Sequence, residues 1–123
     1  MNKFGKIGWI DLTCDNAAAV KDFYQNVVGW EASDVNVQDY HDFVMQKSDT
    51  GEPIAGICHK RGDNLGIPSQ WLIYIQVEDL TASIEACNQS GGKVLSPPRN
   101  LGAYGMMCII EDPAGAIAAL LQP

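Results

Sequence analysis

The pattern of apolar and polar positions divides the start of the chain into a strand and a helix. Apolar and polar residues alternate along residues 7–14, which predicts a β-strand with two unlike faces. Asp15 and Asn16 follow, and their side chains can accept hydrogen bonds from the free N–H groups at a helix start. Gly29 then ends the helix, since glycine readily takes the left-handed conformation. Apolar residues at helical spacing predict the buried helix face, at Ala17, Val20, Phe23, Val27 and Val28.

Short extended segments follow this helix. Polar breaks separate three predicted strands, near Glu31–Val37, Tyr40–Lys47 and Pro53–Lys60. Residues 61–69, RGDNLGIPS, are rich in Gly, Asp, Asn and Pro and are interpreted as a linker. The first half of the chain therefore predicts the order β-α-β-β-β.

The same order returns after the linker. A predicted strand precedes a helix that begins at Asp79 and ends at Gly91-Gly92. The four predicted strands of this half are Trp71–Val77, Lys93–Leu95, Gly105–Ile110 and Ala116–Leu121.

A constant offset relates the two halves. Shifting the first half by 63 residues carries Ile10 onto Ile73 and Gly29 onto Gly92 without a gap. The same offset carries Phe43 onto Met106. We therefore predict an internal duplication in one domain of residues 1–123, with module one at about 6–60 and module two at about 70–122. Two such modules can place their curved mixed sheets around a cleft.

The composition argues against several classes of protein. The 123 residues carry 15 Asp+Glu against 8 Lys+Arg, a net charge of −7, so no nucleic acid is expected as a partner. The amino terminus lacks the apolar run of a signal peptide, and no stretch approaches the roughly 18 apolar residues that cross a membrane. The four cysteines stand apart without metal-ligand spacing. These observations predict a reduced, cytoplasmic protein without membrane contact.

Short motifs recur in a characteristic order along the chain: Phe23-Tyr24, Gly29-Trp30, Val77-Glu78-Asp79-Leu80, Gly91-Gly92 and Asp112-Pro113-Ala114-Gly115. Their order resembles the glyoxalase/bleomycin-resistance/extradiol-dioxygenase proteins, the vicinal oxygen chelate superfamily. Two further motifs, Ala55-Gly56 and the pair Trp71 and Tyr74, make the chain most similar to the branch related to lactoylglutathione lyase. The resemblance covers nearly the whole chain, and it implies an α+β fold of two βαβββ modules and a homodimer.

The resemblance also implies where a metal ion would bind. Metal-using members of this superfamily place His, Gln or Glu at the first and last strands of each module, on the concave face. Here those positions hold Trp9, Gly56, Leu72 and Ala119, none of which has a donor side chain. We therefore expect no metal and no cofactor, unless a divalent ion uses non-standard ligands. The histidines, His41 and His59, stand at predicted strand ends, where side chains are usually solvated.

Asp11 is the candidate for chemistry on the concave face. It lies two residues after Trp9 and has Tyr74 as its counterpart in module two, and we expect it to be the only acid there. Asp11 and Tyr74 are the predicted catalytic pair, through acid–base chemistry, although Asp11 can equally fix the packing by hydrogen bonds. The predicted ligand-binding residues are Trp9, Asp11, Phe43, Gly56, Leu72, Tyr74, Met106 and Ala119.

Two hypotheses of function follow, and the sequence leaves open whether the protein is an enzyme. The first is a metal-free protein that binds a small organic molecule in a cleft. The second is a lyase, isomerase or dioxygenase type enzyme that uses non-standard metal ligands or metal-free acid–base chemistry. A regulatory module without a ligand is a third possibility.

Overall fold

The computed structural model describes residues 4–37 and 39–123, and this part of the chain holds two α-helices and eight β-strands. Their order repeats as β-α-β-β-β, which confirms the predicted α+β class with two βαβββ modules. No helix in these ranges is long and apolar enough to span a bilayer. The elements are β1 (Ile7–Cys14), α1 (Ala17–Val28), β2 (Glu31–Val37), β3 (Tyr40–Gln46), β4 (Pro53–His59), β5 (Trp71–Gln76), α2 (Leu80–Gln89), β6 (Lys93–Asn100), β7 (Met106–Glu111) and β8 (Ile117–Gln122).

The chain divides into two compact units. The first unit is Ile10–Trp71, and the second joins the segment that ends at Trp9 to Leu72–Pro123. Within the second unit, the backbone N–H of Gly5 donates to Gln76 O at 2.7 Å, and the N–H of Gln76 donates to Lys6 O at 2.8 Å. Gly5 and Lys6 therefore belong to the second unit through these backbone hydrogen bonds.

The first unit contains a mixed four-stranded sheet in the order β2-β3-β4-β1. β1 runs parallel to β4, and the other neighbouring strands are antiparallel. Leu12 lies opposite Ile57, which in turn lies opposite Phe43. Because residues in register share a face of the sheet, these three side chains point the same way.

The core of the first unit lies between this sheet face and α1. Asn16 caps α1, since its side-chain oxygen accepts from the N–H of Ala19 at 3.3 Å. Helix residues Ala17, Val20 and Tyr24 contact the core, whereas Phe23, Val27 and Val28 are exposed. The predicted helix face was therefore wrong for those three residues. The buried strand residues of this core are Leu12, Cys14, Phe43, Met45 and Ile57.

A hydrogen bond explains why Tyr24, rather than Phe23, faces the core. The indole N–H of Trp71 donates to the Tyr24 hydroxyl at 3.0 Å, and the two rings meet edge to face with centroids 5.3 Å apart. Trp30 stacks on Tyr24 with a centroid distance of 5.9 Å. Trp71 thus packs against α1 within the first unit.

The second unit repeats the architecture of the first. Its sheet has the order β5-β8-β7-β6, with β5 parallel to β8 and the other neighbouring pairs antiparallel. Asp79 caps α2 by accepting from the N–H of Ala82 at 3.1 Å. One sheet face packs against Leu80 and Ile84 of α2 through Ile75, Val77, Met106, Cys108, Ile110 and Leu120.

The strand β6 is longer than predicted. It continues through Pro97 and Pro98 to Asn100, with irregular register against β7. Proline cannot donate to a sheet ladder, so it is tolerated here because β6 is an edge strand of its unit and pairs only with β7. The strand was predicted at Lys93–Leu95, so β6 extends five residues beyond that prediction.

The register agrees with the duplication in the parallel strand pairs. Asp11 lies opposite Gly56 between β1 and β4, and Tyr74 lies opposite Ala119 between β5 and β8. Tyr74 follows Asp11 by 63 residues, and Ala119 follows Gly56 by the same 63 residues. The two units therefore align residue by residue along these strands.

The antiparallel pairs depart from this offset by two residues. Phe43 lies opposite Ile57, whereas Leu120, the counterpart of Ile57, lies opposite Cys108. Phe43 therefore corresponds to Cys108 and not to the predicted Met106. Because side chains alternate with a period of two, the shift leaves every residue on the expected face.

Candidate functional site

Polar side chains lie on the helix-free face of the first unit, which we define as the sheet face opposite α1. Leu12, Phe43 and Ile57 pack toward α1, so their neighbours in each strand point to the helix-free face. Two of these neighbours, Thr13 and Asp42, are only 4% and 9% exposed. The residues of this face in β1, β3 and β4 include Asp11, Thr13, Asp42, Val44, Gly56 and Cys58.

Asp42 is the only charged side chain among the described residues that is buried. Its Oδ1 accepts a hydrogen bond of 2.8 Å from the backbone N–H of His59 and lies 3.4 Å from His59 Nδ1. The carboxylate also bonds to the thiol of Cys58. A buried carboxylate requires such donors, because leaving water otherwise disfavours its charge. Asp42 therefore ties β3 to the end of β4 through its side chain.

The pKa of the Cys58 thiol reflects the negative charge of this face. Burial raises the pKa of Cys58, and the carboxylates of Asp11 and Asp42 raise it further. The thiol therefore stays protonated near neutral pH, so Cys58 acts here as a hydrogen-bond donor and not as a nucleophile. Asp11 and Asp42 both act on this one thiol, which places two carboxylates near the same part of the face.

The two histidines lie in different surroundings. His41 is exposed on β3. The His59 side chain is only 20% exposed, and its ring meets Tyr40 edge to face with centroids 5.5 Å apart. Asp42 beside Nδ1 holds the ring in place, which leaves Nε2 directed away from the carboxylate. His59 is therefore less solvated than its place at a strand end suggested.

The helix-free face contains two of the predicted site residues of this unit. Asp11 and Gly56 lie opposite each other across β1 and β4. Phe43 instead packs in the core beneath α1, so we do not include it in the site. The expectation that Asp11 is the only acid on this face was wrong, because Asp42 lies on it too. The alternation of Tyr40–Gln46 already indicated this, since it places Asp42 opposite to Phe43.

The second unit has its own helix-free face, opposite α2, and this face is mainly apolar. Tyr74 and Ala119 are in register and buried there, because their strand neighbours Ile75 and Leu120 pack toward α2. Leu72 is 1% exposed and lies two residues before Tyr74 on the same face. Met106 lies on the opposite side, with the core under α2.

The donor set does not fit the metal centre that the resemblance implies. Residues 4–37 and 39–123 contain no group of three or more His, Cys, Asp or Glu side chains that could hold a metal ion. The four cysteines are free thiols. Trp9 is half-buried in β1, and its side chain offers no electron-pair donor to a metal ion. The same holds for Gly56, Leu72 and Ala119, the other three positions that the resemblance assigns to metal ligands.

Comparison with known families finds one match that spans most of the chain. The model of the Glyoxalase/Bleomycin resistance protein/Dioxygenase superfamily matches residues 6–119.

Relatives of this chain are longer than it is. A Mycobacterium tuberculosis protein named "Putative glyoxylase CFP32" is 33% identical over 119 residues, which cover 96% of this chain and 46% of that protein. The anthracycline biosynthesis protein DnrV of Streptomyces peucetius is 28% identical and covers 94% of this chain and 46% of its own length. The chain thus spans about half the length of the curated relatives it matches.

Solved structures share the fold at low identity. Methylmalonyl-CoA epimerase in complex with methylmalonyl-CoA and NH4+ matches with a TM-score of 0.59 and 20% identity, over 97% of this chain and 94% of that chain. A superfamily member from Vibrio splendidus matches with a TM-score of 0.58 and 13% identity, over 94% of this chain and 97% of that chain.

Proposed function

Because the chain belongs to the Glyoxalase/Bleomycin resistance protein/Dioxygenase superfamily, we propose that it binds a small organic molecule without the metal centre common in that superfamily. The observation that carries this proposal is the buried Asp42 carboxylate on the helix-free face of the first unit, with Asp11 on the same face. Two carboxylates and the Thr13 hydroxyl favour a ligand that donates hydrogen bonds, such as a hydroxyl or amine compound.

The names of the relatives suggest a ligand class for a first test. DnrV is named for anthracycline biosynthesis, and anthracyclines are built on a hydroxylated anthraquinone. The hydroxyl groups of such a ring system suit the carboxylates of Asp11 and Asp42 in the first unit. We therefore choose 2-hydroxyanthraquinone as the probe compound.

The test measures binding of 2-hydroxyanthraquinone by titration calorimetry to the wild type and to Asp42→Asn. We expect Asp42→Asn to bind about tenfold more weakly, because an amide replaces the charged acceptor. Asp39→Asn is the matched control, since the Asp39 side chain is 77% exposed and pairs only loosely with Arg61 at 3.6 Å. Equal affinities of Asp42→Asn and wild type would place the ligand elsewhere, and a stoichiometric divalent ion in the purified protein would overturn its metal-free character.

A second candidate function is metal-free acid–base catalysis through Asp11 and Tyr74. The 33% identical relative named as a glyoxylase favours an enzyme. The residues support a proton donor or acceptor role, since Asp11 is half-buried and Tyr74 is buried in its strand. Turnover on a panel of small carbonyl and aromatic compounds tests this candidate, and unchanged turnover by Asp11→Asn would exclude Asp11 as a catalytic group.

We also propose that the protein forms a homodimer, as the resemblance to its superfamily implies. Phe23, Val27 and Val28 of α1 are each more than half exposed, which leaves apolar surface on the helix. Light scattering after gel filtration measures the mass directly, and a monomer at micromolar concentration would contradict the proposal.

A further inference from the structure

His59 and Asp42 form a side-chain pair at the end of β4, within the first unit. Asp42 Oδ1 lies 3.4 Å from His59 Nδ1 and also accepts from the backbone N–H of His59 at 2.8 Å. The side chain of Asp42 is 12% exposed and that of His59 is 20% exposed. The imidazole is therefore the member of the pair that a molecule from solvent reaches more readily.

Two aromatic side chains pack against the imidazole of His59. The Tyr40 ring meets it edge to face with centroids 5.5 Å apart, and the Phe43 ring lies at 6.3 Å with a tilt of 47°. These contacts and the one with Asp42 come from different directions along β3, so they restrict rotation of the imidazole. The ring is therefore oriented before any ligand arrives.

The contact with Asp42 also decides which ring nitrogen of His59 carries the proton. An ionised carboxyl group can only accept, so the contact at Nδ1 favours the tautomer that is protonated there. In residues 4–37 and 39–123, the hydrogen-bonding contact of this ring is the one at Nδ1. Nε2 then keeps its lone pair and can accept a proton from a bound molecule.

Basic residues follow His59 directly. Lys60 and Arg61 stand next to it in a chain whose net charge is −7. The Arg61 guanidinium lies over the Tyr40 ring, 4.1 Å from its centroid, so Arg61 and His59 contact the same ring. Asp39 lies 3.6 Å from Arg61 but is 77% exposed, so this ion pair is weak in water. Positive charge at this end of β4 favours a ligand that becomes an anion when it gives up a proton.

We propose that His59 is a proton-accepting residue of the first unit, whose Nε2 takes the proton of a phenol-type hydroxyl on a bound molecule. The O–H bond breaks, its electron pair stays on the ligand oxygen, and the proton bonds to Nε2. The imidazolium remains beside Asp42, which is the positioning residue. An aliphatic hydroxyl is too weak an acid for this transfer, so the ligand class is phenols and hydroxyquinones. This inference rests on the proposed binding function and deepens it.

The first test examines the imidazole in the protein without ligand. Nitrogen NMR at a pH where the rings are neutral should show His59 protonated at Nδ1 and unprotonated at Nε2. His41 is the matched control, since it is exposed on the neighbouring strand β3 and should show the tautomer mixture of a solvated histidine. Asp42→Asn should weaken the bias at His59, because an amide N–H can donate to Nδ1.

The second test follows the proton on a ligand by absorption spectroscopy. The probe is 2-hydroxyanthraquinone, at a pH just below that at which the free compound ionises. On binding to the wild type it should show the spectrum of its ionised form, whereas 2-methoxyanthraquinone has no such proton and should keep its spectrum. His59→Gln should bind the hydroxyl compound in its protonated form and about tenfold more weakly. His41→Gln should behave as the wild type does.

The outcomes separate the two proposals. Binding of 2-hydroxyanthraquinone without the spectrum of the ionised form, or persistence of that spectrum in His59→Gln, would overturn the role of His59 and leave the proposed function standing. A His59 ring protonated at Nε2 in the protein without ligand would overturn that role in the same way. If 2-hydroxyanthraquinone does not bind the wild type, both proposals fail for this ligand class.

Discussion

The backbone N–H of His59 donates a hydrogen bond of 2.8 Å to the side-chain carboxylate of Asp42. The bond joins the end of β4 to β3 through a side chain rather than through the backbone ladder. Since the same carboxylate bonds to the Cys58 thiol, the only buried charge among the described residues is satisfied within one unit. A residue of the proposed ligand site is therefore also a structural residue.

Replacing Asp42 should lower the stability of the fold. Asp42→Ala removes the acceptor of the His59 N–H, and we expect the free energy of unfolding to fall by about 1–3 kcal/mol. Asp42→Asn should lose less, because the amide oxygen still accepts from that N–H. Urea unfolding measures the change, with Asp39→Ala as the exposed control; an equal loss in the two alanine variants would contradict the structural role of Asp42.

The hydrogen bond between Trp71 and Tyr24 should couple Trp71 to α1 energetically within the first unit. We expect a double-mutant cycle of Trp71→Phe and Tyr24→Phe to give a coupling free energy of about 0.5–1.5 kcal/mol, since each single change removes one partner of the bond. Tyr104→Phe is the control, because the Tyr104 side chain is 76% exposed. Additive effects of the two changes on the free energy of unfolding would show that the hydrogen bond contributes nothing to stability.

Gly105 should tolerate no side chain. Its φ of +107° and ψ of −154° lie in a region open only to glycine, and a Cβ atom would meet the carbonyl oxygen of Gln122. We expect Gly105→Ala to lower the free energy of unfolding by about 2–4 kcal/mol, from backbone strain and overpacking together. Gly102→Ala, at φ +66° with open space around it, should cost about 1 kcal/mol. Thermal unfolding compares the two, and similar losses would refute the close approach at Gly105.

The buried thiol of Cys108 should make the fold sensitive to alkaline pH. Burial, and to a lesser extent Cys87, raises the pKa of Cys108 to about 11 from an ordinary 9.0. Above about pH 9 the unfolded chain loses this proton while the folded chain keeps it, so the free energy of unfolding falls as pH rises toward 11. Below pH 9 the buried thiol makes its full contribution to the free energy of unfolding. One such group gives a slope of up to about 1.4 kcal/mol per pH unit.

Urea unfolding at pH 8 and pH 10 checks this prediction. Cys108→Ala should start from a lower stability, because a buried side chain is shortened, but it should lose about 1 kcal/mol less between the two pH values. All other ionisable groups are the same in both proteins, so their contributions cancel in the comparison. Parallel pH profiles of wild type and variant would show that Cys108 is not responsible.

The order of the elements and most of their boundaries followed from the sequence by itself, since both depend on local signals. Alternation predicted the bounds of β1 and polar breaks those of β2, and the Asn16 and Asp79 caps set the starts of both helices. The duplication was also readable, because it appears as an offset in the sequence. All of these features can be read along the sequence without knowing which residues meet in the fold.

Only the tertiary structure decided which stripe of α1 is buried and which hydrogen-bond partner a buried acid finds. Tyr24 replaces Phe23 in the core because its hydroxyl finds Trp71, which lies 47 residues away in the chain. Asp42 can lie in a buried place because the end of β4 brings its carboxyl oxygen the N–H of His59. Such partners meet through folding, and no periodicity in the sequence specifies the distance between them.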